Sequence, residues 1–362
     1  MNAETRCLTL ALAALATWPT ARTFSQTAVD GPYKIVNTAQ EMGNGGIDYV
    51  TTDSAGRRLY VPRGGQVLVF DLDTLKSVGS ITNARGVHGV ALDPTSAHGF
   101  SSSNPVLMWD TKTLATLKSI DVQGRPDGII FEPLTGRIFV LSHAQPNATV
   151  IDGKDGSIVG TIDLGGAPEQ AASDGQGHLY VDIEDQDKVA VVDVKTLKVT
   201  ANYDLSSKAK TPAGLALDVK NQVLFAFCRN PATAVMLSAV DGKILASLPI
   251  GSGTDGGGFI PETLEAFSSQ GDGTLSIIKE TGPTTFELEQ TLKTKSRAKT
   301  CALDSKKNQI IVITTEPTPA LPTATPPPAA PPTTGAEQPG TRRGGRGGGG
   351  GPGLLDILVI GR

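Results

Sequence analysis

Six charged or imidazole side chains recur in this chain at a nearly constant interval: Asp48, His88, Asp127, Glu169, Asp255 and Lys299. Taking the residue just before each of seven similar apolar runs, the positions are Asp48, His88, Asp127, Glu169, Ala213, Gly257 and Lys299. They are separated by 40, 39, 42, 44, 44 and 42 residues, and Asp255 stands beside the sixth. Carboxylates and an imidazole gathered at one place support two chemistries. They can hold a divalent cation or a polar ligand, or the histidine can exchange a proton near neutral pH. Asp48, Asp127, Glu169 and Asp255 are the candidate metal ligands, and Ca2+ is the ion that an all-carboxylate set would take. Arg229 and Asn230 (with Arg63, Asn104, His143, Asp182 and Glu184) occupy the polar stretches between the second and third apolar runs of their units. They are candidates for the same face. The plainer reading is that such residues only cap strand ends, and that a lone histidine at a strand start is hydrogen-bonded structure. No residue is singled out here as a catalytic one.

These residues converge only if the units around them are alike. Asp127–Pro168 shows the unit in full: four short apolar runs, rich in Val, Ile and Phe, bounded by Gly, Pro and Asp. Runs of that kind are β-strands, and four within about 40 residues make one small antiparallel sheet. The approach to the first strand recurs as GIDYVTTD, GVHGVALDP, RPDGIIFEP, APEQAASDG, TPAGLALDV, GGGFIPE and AKTCALDS. A period of 40-odd residues with four strands per unit predicts an all-β, seven-bladed β-propeller. No segment carries the 3.6-residue apolar period of a helical array.

The seventh unit has only three strands of its own, two in Cys301–Thr315 and one in Leu354–Arg362. The missing fourth is expected from the N-terminal side, at Tyr33–Asn37, which would close the ring and leave no sheet edge open. The domain is therefore expected to span residues 33–315 plus 354–362. Residues 316–353, rich in Pro and Gly, are expected to form a disordered loop inserted in the last blade. In a propeller the residues before the first strands ring one mouth of the central channel. That placement makes Asp48, His88, Asp127, Glu169, Asp255 and Lys299, with Arg229 and Asn230, the predicted ligand-binding funnel.

Composition narrows the setting. The chain has 362 residues, 42 Gly, 24 Pro and a net charge of −4. There is no basic field to attract nucleic acid, which is disfavoured as a partner. Leu8–Trp18 is an apolar run of signal-peptide length, so residues 1–26 are expected to be an export signal. A periplasmic or secreted monomer with no transmembrane segment in its mature part follows. Metal motifs of the C-x-x-C or H-x-x-x-H kind are lacking. Gly251–Gly256 fits G-x-G-x-x-G, but Gly257, Gly258 and Pro261 behind it cannot open a helix, so it is expected to be an inter-blade turn.

The recurring second strands RRLYV, GRIFV and GHLYV, each followed by a strand ending in Asp and a D-x-K-T-L or D-G-K turn, resemble the YVTN/YncE-like β-propeller repeat proteins. The resemblance implies an exported bacterial seven-bladed propeller, and the motifs that carry it are structural. The expected function is a binding or scaffold protein that recognises a protein, peptide or small polar ligand at the funnel face. Two alternatives stand beside it: a Ca2+-dependent, lactonase-like hydrolase, and an accessory protein of a periplasmic quinoprotein redox system.

Overall fold

A computed structural model describes residues 29–317 and 352–362 of the chain. The expected export signal, and most of the expected loop, lie outside the described residues. Most of the rest is strand, arranged as seven four-stranded antiparallel sheets. Blade one comprises Thr51–Asp53, Arg58–Arg63, Gln66–Asp71 and Ser77–Ile81. Blade three, the pattern for the others, comprises Pro126–Glu132, Arg137–Ser142, Ala148–Asp152 and Ile158–Ile162. In each of the first six blades the strands follow in chain order, from the axis outward. The seven innermost strands touch one another in cyclic order, and that of blade seven returns to that of blade one. The chain is a seven-bladed β-propeller.

Packing follows from the period of two along a strand. In blade one, Leu59 and Val61 point into the interface with blade seven, while Tyr60 between them points towards blade two. Every blade thus divides its apolar residues between two neighbours, and seven separate cores form, one at each interface. In blades one, two and four the hairpin joining third and fourth strands is set by a repeated D-x-x-T-L. In each, the Asp carboxylate accepts bonds from the backbone N–H and hydroxyl of the Thr, as in Asp71–Thr74, Asp110–Thr113 and Asp193–Thr196. The following Leu75, Leu114 and Leu197 have φ of 55°, 63° and 58°. This left-handed backbone disfavours a branched residue, and all three leucines are held there by packing against a core.

Blade seven is assembled from both ends of the chain, as the incomplete seventh unit requires. From the axis outward it contains Thr300–Asp304, Gln309–Pro317, Pro352–Gly361 and Lys34–Asn44. The donated outer strand is longer than the expected Tyr33–Asn37. It pairs antiparallel with the C-terminal strand from Lys34↔Gly361 to Asn44↔Pro352, with a bulge at Val36. The two strands flanking the expected loop also reach further into it, to Pro317 and from Pro352. Tyr33 and Arg362 tie this blade to blade six. The Tyr33 hydroxyl donates to Glu265 at 2.5 Å, and the Arg362 guanidinium pairs with Glu265 and lies 5.0 Å over the Tyr33 ring.

Leu355, Ile357, Leu358, Val359 and Ile360 are each at most 4% exposed. At roughly 1.5–3 kcal/mol per buried side chain, their removal forfeits about as much as the whole stability of an ordinary domain. A chain ending at Gly353 is therefore expected to show no cooperative melting transition by circular dichroism and to aggregate. A melting curve like that of the full chain would contradict this closure.

Candidate functional site

The innermost strands place the recurring residues around one mouth of the channel, and backbone contacts fix their order. Asp255 N donates to the Lys299 carbonyl at 3.1 Å, and the Thr300 hydroxyl donates to the Asp48 carbonyl at 2.9 Å. The hairpins between second and third strands bring His143, Glu184 and Arg229 to the same rim. The result is a closed chain of alternating charge. His88 Nδ1 lies 2.8 Å from Asp48 Oδ2 and 3.4 Å from Asp127 Oδ1. His143 Nε2 lies 3.1 Å from Asp127 Oδ2 and 3.8 Å from Glu169 Oε1. Arg229 is 3.8 Å from Glu169, 2.9 Å from Glu184, and paired with Asp255. Lys299 pairs with Asp255 and completes the circuit 3.6 Å from Asp48. Two atoms in it are buried without a hydrogen-bond partner: Asp48 Oδ1, and His143 Nε2, which lies beside Asp127 but off the bonding axis.

Five carboxylates (Asp48, Asp127, Glu169, Glu184 and Asp255) share this rim with one guanidinium, one ammonium and two imidazoles. Crowding of like charges away from water changes their acidity. Burial, then the neighbouring Glu184 carboxylate, pushes Glu169 up to about 8. Burial likewise raises Asp127, against the pull of His88 and His143. The hydrogen bond to Asp48 raises His88. Geometry and acidity agree that negative charge is in excess here.

Just below the rim, side chains from different blades meet across the channel. Tyr49 crosses from blade one and donates to Glu169 Oε2 of blade four at 2.8 Å. Gln170 accepts from the backbone N–H groups of Leu215 and Gly257, each at 2.9 Å, and so bridges blades five and six. Beneath them lies a cavity of about 320 Å³ lined largely by apolar groups, among them Val90, Ile129, Phe131 and Cys301. Tyr49 and Gln170 follow the register residues Asp48 and Glu169. The same place in blades two, three and five holds Gly89, Gly128 and Gly214. A Cβ on Gly128 would stand 2.5 Å from the Glu169 carbonyl oxygen, and one on Gly214 would stand 2.9 Å from Gly256. Glycine lets the strands close in around the axis, and the two large polar side chains then fill what space is left.

Of the eight residues expected to bind ligand, seven belong to the ring: Asp48, His88, Asp127, Glu169, Arg229, Asp255 and Lys299. Asn230 is exposed at a strand end, outside the chain of ion pairs. The four carboxylates considered as metal ligands do not meet at one point. Asp48 and Asp127 cluster with His88, Glu169 with His143 and Glu184, and Asp255 is held by Arg229 and Lys299. Three other residues expected on this face take no part in the chain of ion pairs. Asp182 is fully buried with neither carboxylate oxygen bonded, and burial pushes its pKa well above the usual carboxylate range. Arg63 is buried and donates to the carbonyls of Glu41 and Gly353 in the two strands that close the ring. Asn104 is exposed, its backbone N–H bonded to the Arg85 carbonyl. Gly251–Gly256 leads into the strand Thr254–Ile260, and Cys228 and Cys301 are buried and unpaired.

Comparison with solved structures gives the same architecture. The chain is similar to one in the "Crystal Structure of Mitotic Checkpoint Complex", with a TM-score of 0.68 and 12% sequence identity. The match covers 85% of this chain and 95% of that one, and at such identity it shows the fold alone. No family model and no curated protein matches the sequence.

Arg229 holds two carboxylates, one of them on Asp255, whose side chain is only 6% exposed. Taking one partner from a buried pair leaves an uncompensated charge and costs about 3–5 kcal/mol. Arg229→Ala is expected to lower stability by an amount near the lower end of that range in urea titration, and Asp255→Asn in the same chain should restore part of it. A loss in the single variant below about 0.5 kcal/mol, the scale of a surface pair, would contradict the ring.

Proposed function

We propose that this chain is a non-catalytic binding propeller whose funnel mouth takes a positively charged group of a peptide or protein partner. The observation that carries this reading is the closed ring of ion pairs, acidic in sum, above the Tyr49–Glu169 contact that spans the channel. A polar rim open to water presents a docking face, with each charge held by an opposite one beside it. Complementary fixed charge speeds encounter and rejects like-charged partners. The propeller fold commonly serves as an interaction scaffold, in keeping with this role. The apolar run Leu8–Trp18 and the likeness to the YVTN/YncE-like repeat proteins support a periplasmic or secreted setting. An accessory role beside a redox enzyme would be one instance of such binding.

One observation favours a second reading, the lactonase-like hydrolase. Glu169 is buried, shifted to about 8, and bonded to Tyr49, which suits a proton carrier. The same Glu169 stands 3.8 Å from Arg229 and from His143. These are the contacts of a ring member, and binding remains the better account.

The test is to pan a random peptide library against the mature protein in chelating buffer and measure the selected peptides against ring variants. Peptides rich in Lys or Arg are expected, with affinity falling at least about tenfold in Asp127→Asn and Glu169→Gln. Selected peptides that bind both variants as well as the parent would contradict the mouth as the binding face.

A further inference from the structure

The mouth offers imidazole nitrogen as well as carboxylate oxygen, and a peptide-docking face does not call for that. Asp48, His88 and Asp127 each present a donor atom within 4.8 Å of the other two. Around a tetrahedral ion with bonds of about 2.0–2.2 Å, donor atoms stand about 3.3 Å apart. The observed separations from His88 Nδ1, 2.8 Å to Asp48 and 3.4 Å to Asp127, already bracket that value. Asp127 turns its other oxygen to His143 Nε2 at 3.1 Å. That nitrogen and Asp48 Oδ1 are the two buried rim atoms with no hydrogen-bond partner. Buried polar atoms left unsatisfied ask for an explanation such as an ion.

We propose that the mouth binds one divalent transition-metal ion of the zinc class, held by Asp48, His88 and Asp127, with His143 beside the far oxygen of Asp127. Imidazole suits Zn2+, Co2+ or Ni2+, whereas Ca2+ prefers six to eight oxygen donors. Two carboxylates balance the charge of a divalent ion. The neighbouring trio His143, Glu169 and Glu184 has similar spacing, but the Arg229 guanidinium, 2.9 Å from Glu184, already supplies the cation there. At the first trio the nearest competing charge is Lys299, 3.6 Å from Asp48, nearly half exposed and bonded mainly to Asp255. A compact ammonium on a flexible stem can leave as the metal enters. Asp48, His88 and Asp127 come from blades one, two and three, so the ion would join the first three blades at the axis. The inference goes beyond the peptide-binding reading, and either can stand without the other.

The experiment uses the mature protein stripped of metal with a chelator. It is titrated with Zn2+ against a chromophoric competitor, and separately with Co2+ while visible absorption is recorded. The expected result is one equivalent bound with a Kd of about 1 µM or tighter, and Co2+ bands of a low-coordinate nitrogen and oxygen site. His88→Ala and Asp127→Asn should each weaken binding at least about tenfold. His178→Ala, which removes an exposed imidazole paired with Asp174 in a hairpin turn, should leave it unchanged. Circular dichroism establishes that each variant is folded, and His88→Gln replaces His88→Ala if the latter is not. The proposal is overturned by no binding at about 100 µM Zn2+, by equal binding in the parent and the ring variants, or by Ca2+ competing as well as Zn2+. Repeating the peptide titrations on stripped and metal-loaded protein separates the two readings. Peptide binding without metal binding sinks only this inference, and metal binding without peptide binding sinks only the other.

Discussion

The antiparallel ladder between Lys34–Asn44 and Pro352–Gly361 turns seven like sheets into a ring. A propeller blade buries both faces against neighbours, so an unfinished seventh sheet would leave two apolar interfaces short of cover and an edge free to pair with other chains. The cores between blades six and seven and between blades seven and one both draw on the C-terminal strand, through Ile360 on one side and Leu355, Ile357 and Val359 on the other. Arg63 carries the closure into blade one by bonding carbonyls of both terminal strands. Tyr33, Glu265 and Arg362 carry it into blade six.

The mouth depends on the same closure. Lys299 belongs to blade seven and Asp48 to blade one, so their contact exists only in a complete ring. Within that ring the charges are mutually dependent: each cation lies between carboxylates of two different blades. Taken singly the acidic groups would repel one another in a poorly solvated place, which is why burial and Glu184 push Glu169 up as far as they do. The arrangement is stable as a circuit, and its remaining negative charge is what an incoming cation would meet. Tyr49 and Gln170 bridge blades between this rim and the apolar cavity beneath.

Much of this was legible in the sequence, because a propeller repeats one packing problem seven times. The period gave the blade number, and the unfinished seventh unit required the N-terminal strand. The length of that strand was hidden in Thr38–Asn44, whose polar residues lie largely exposed on the outer edge. They carry no alternating apolar signal, and backbone bonds hold them. Ring positions on the first strands could be read by counting, whereas the bridging of adjacent blades by His143, Glu184 and Arg229 depends on hairpin geometry that counting does not supply. The sequence carries a signal for Tyr49 and Gln170 as well. The place after each register residue is glycine in blades two, three and five, so the two large polar exceptions there had to fill the axis.

Native-state hydrogen exchange tests the closed ring most directly. If the N-terminal segment is the outer strand of the last blade, those alternate amides of Lys34–Asn44 that face Pro352–Gly361 should exchange slowly. They should be protected to a degree approaching the central strand Gln309–Pro317 and open together with it. Exchange of all these amides at the rate of a free tail, while the other blades stay protected, would contradict the closure and the continuous ring of charge built on it.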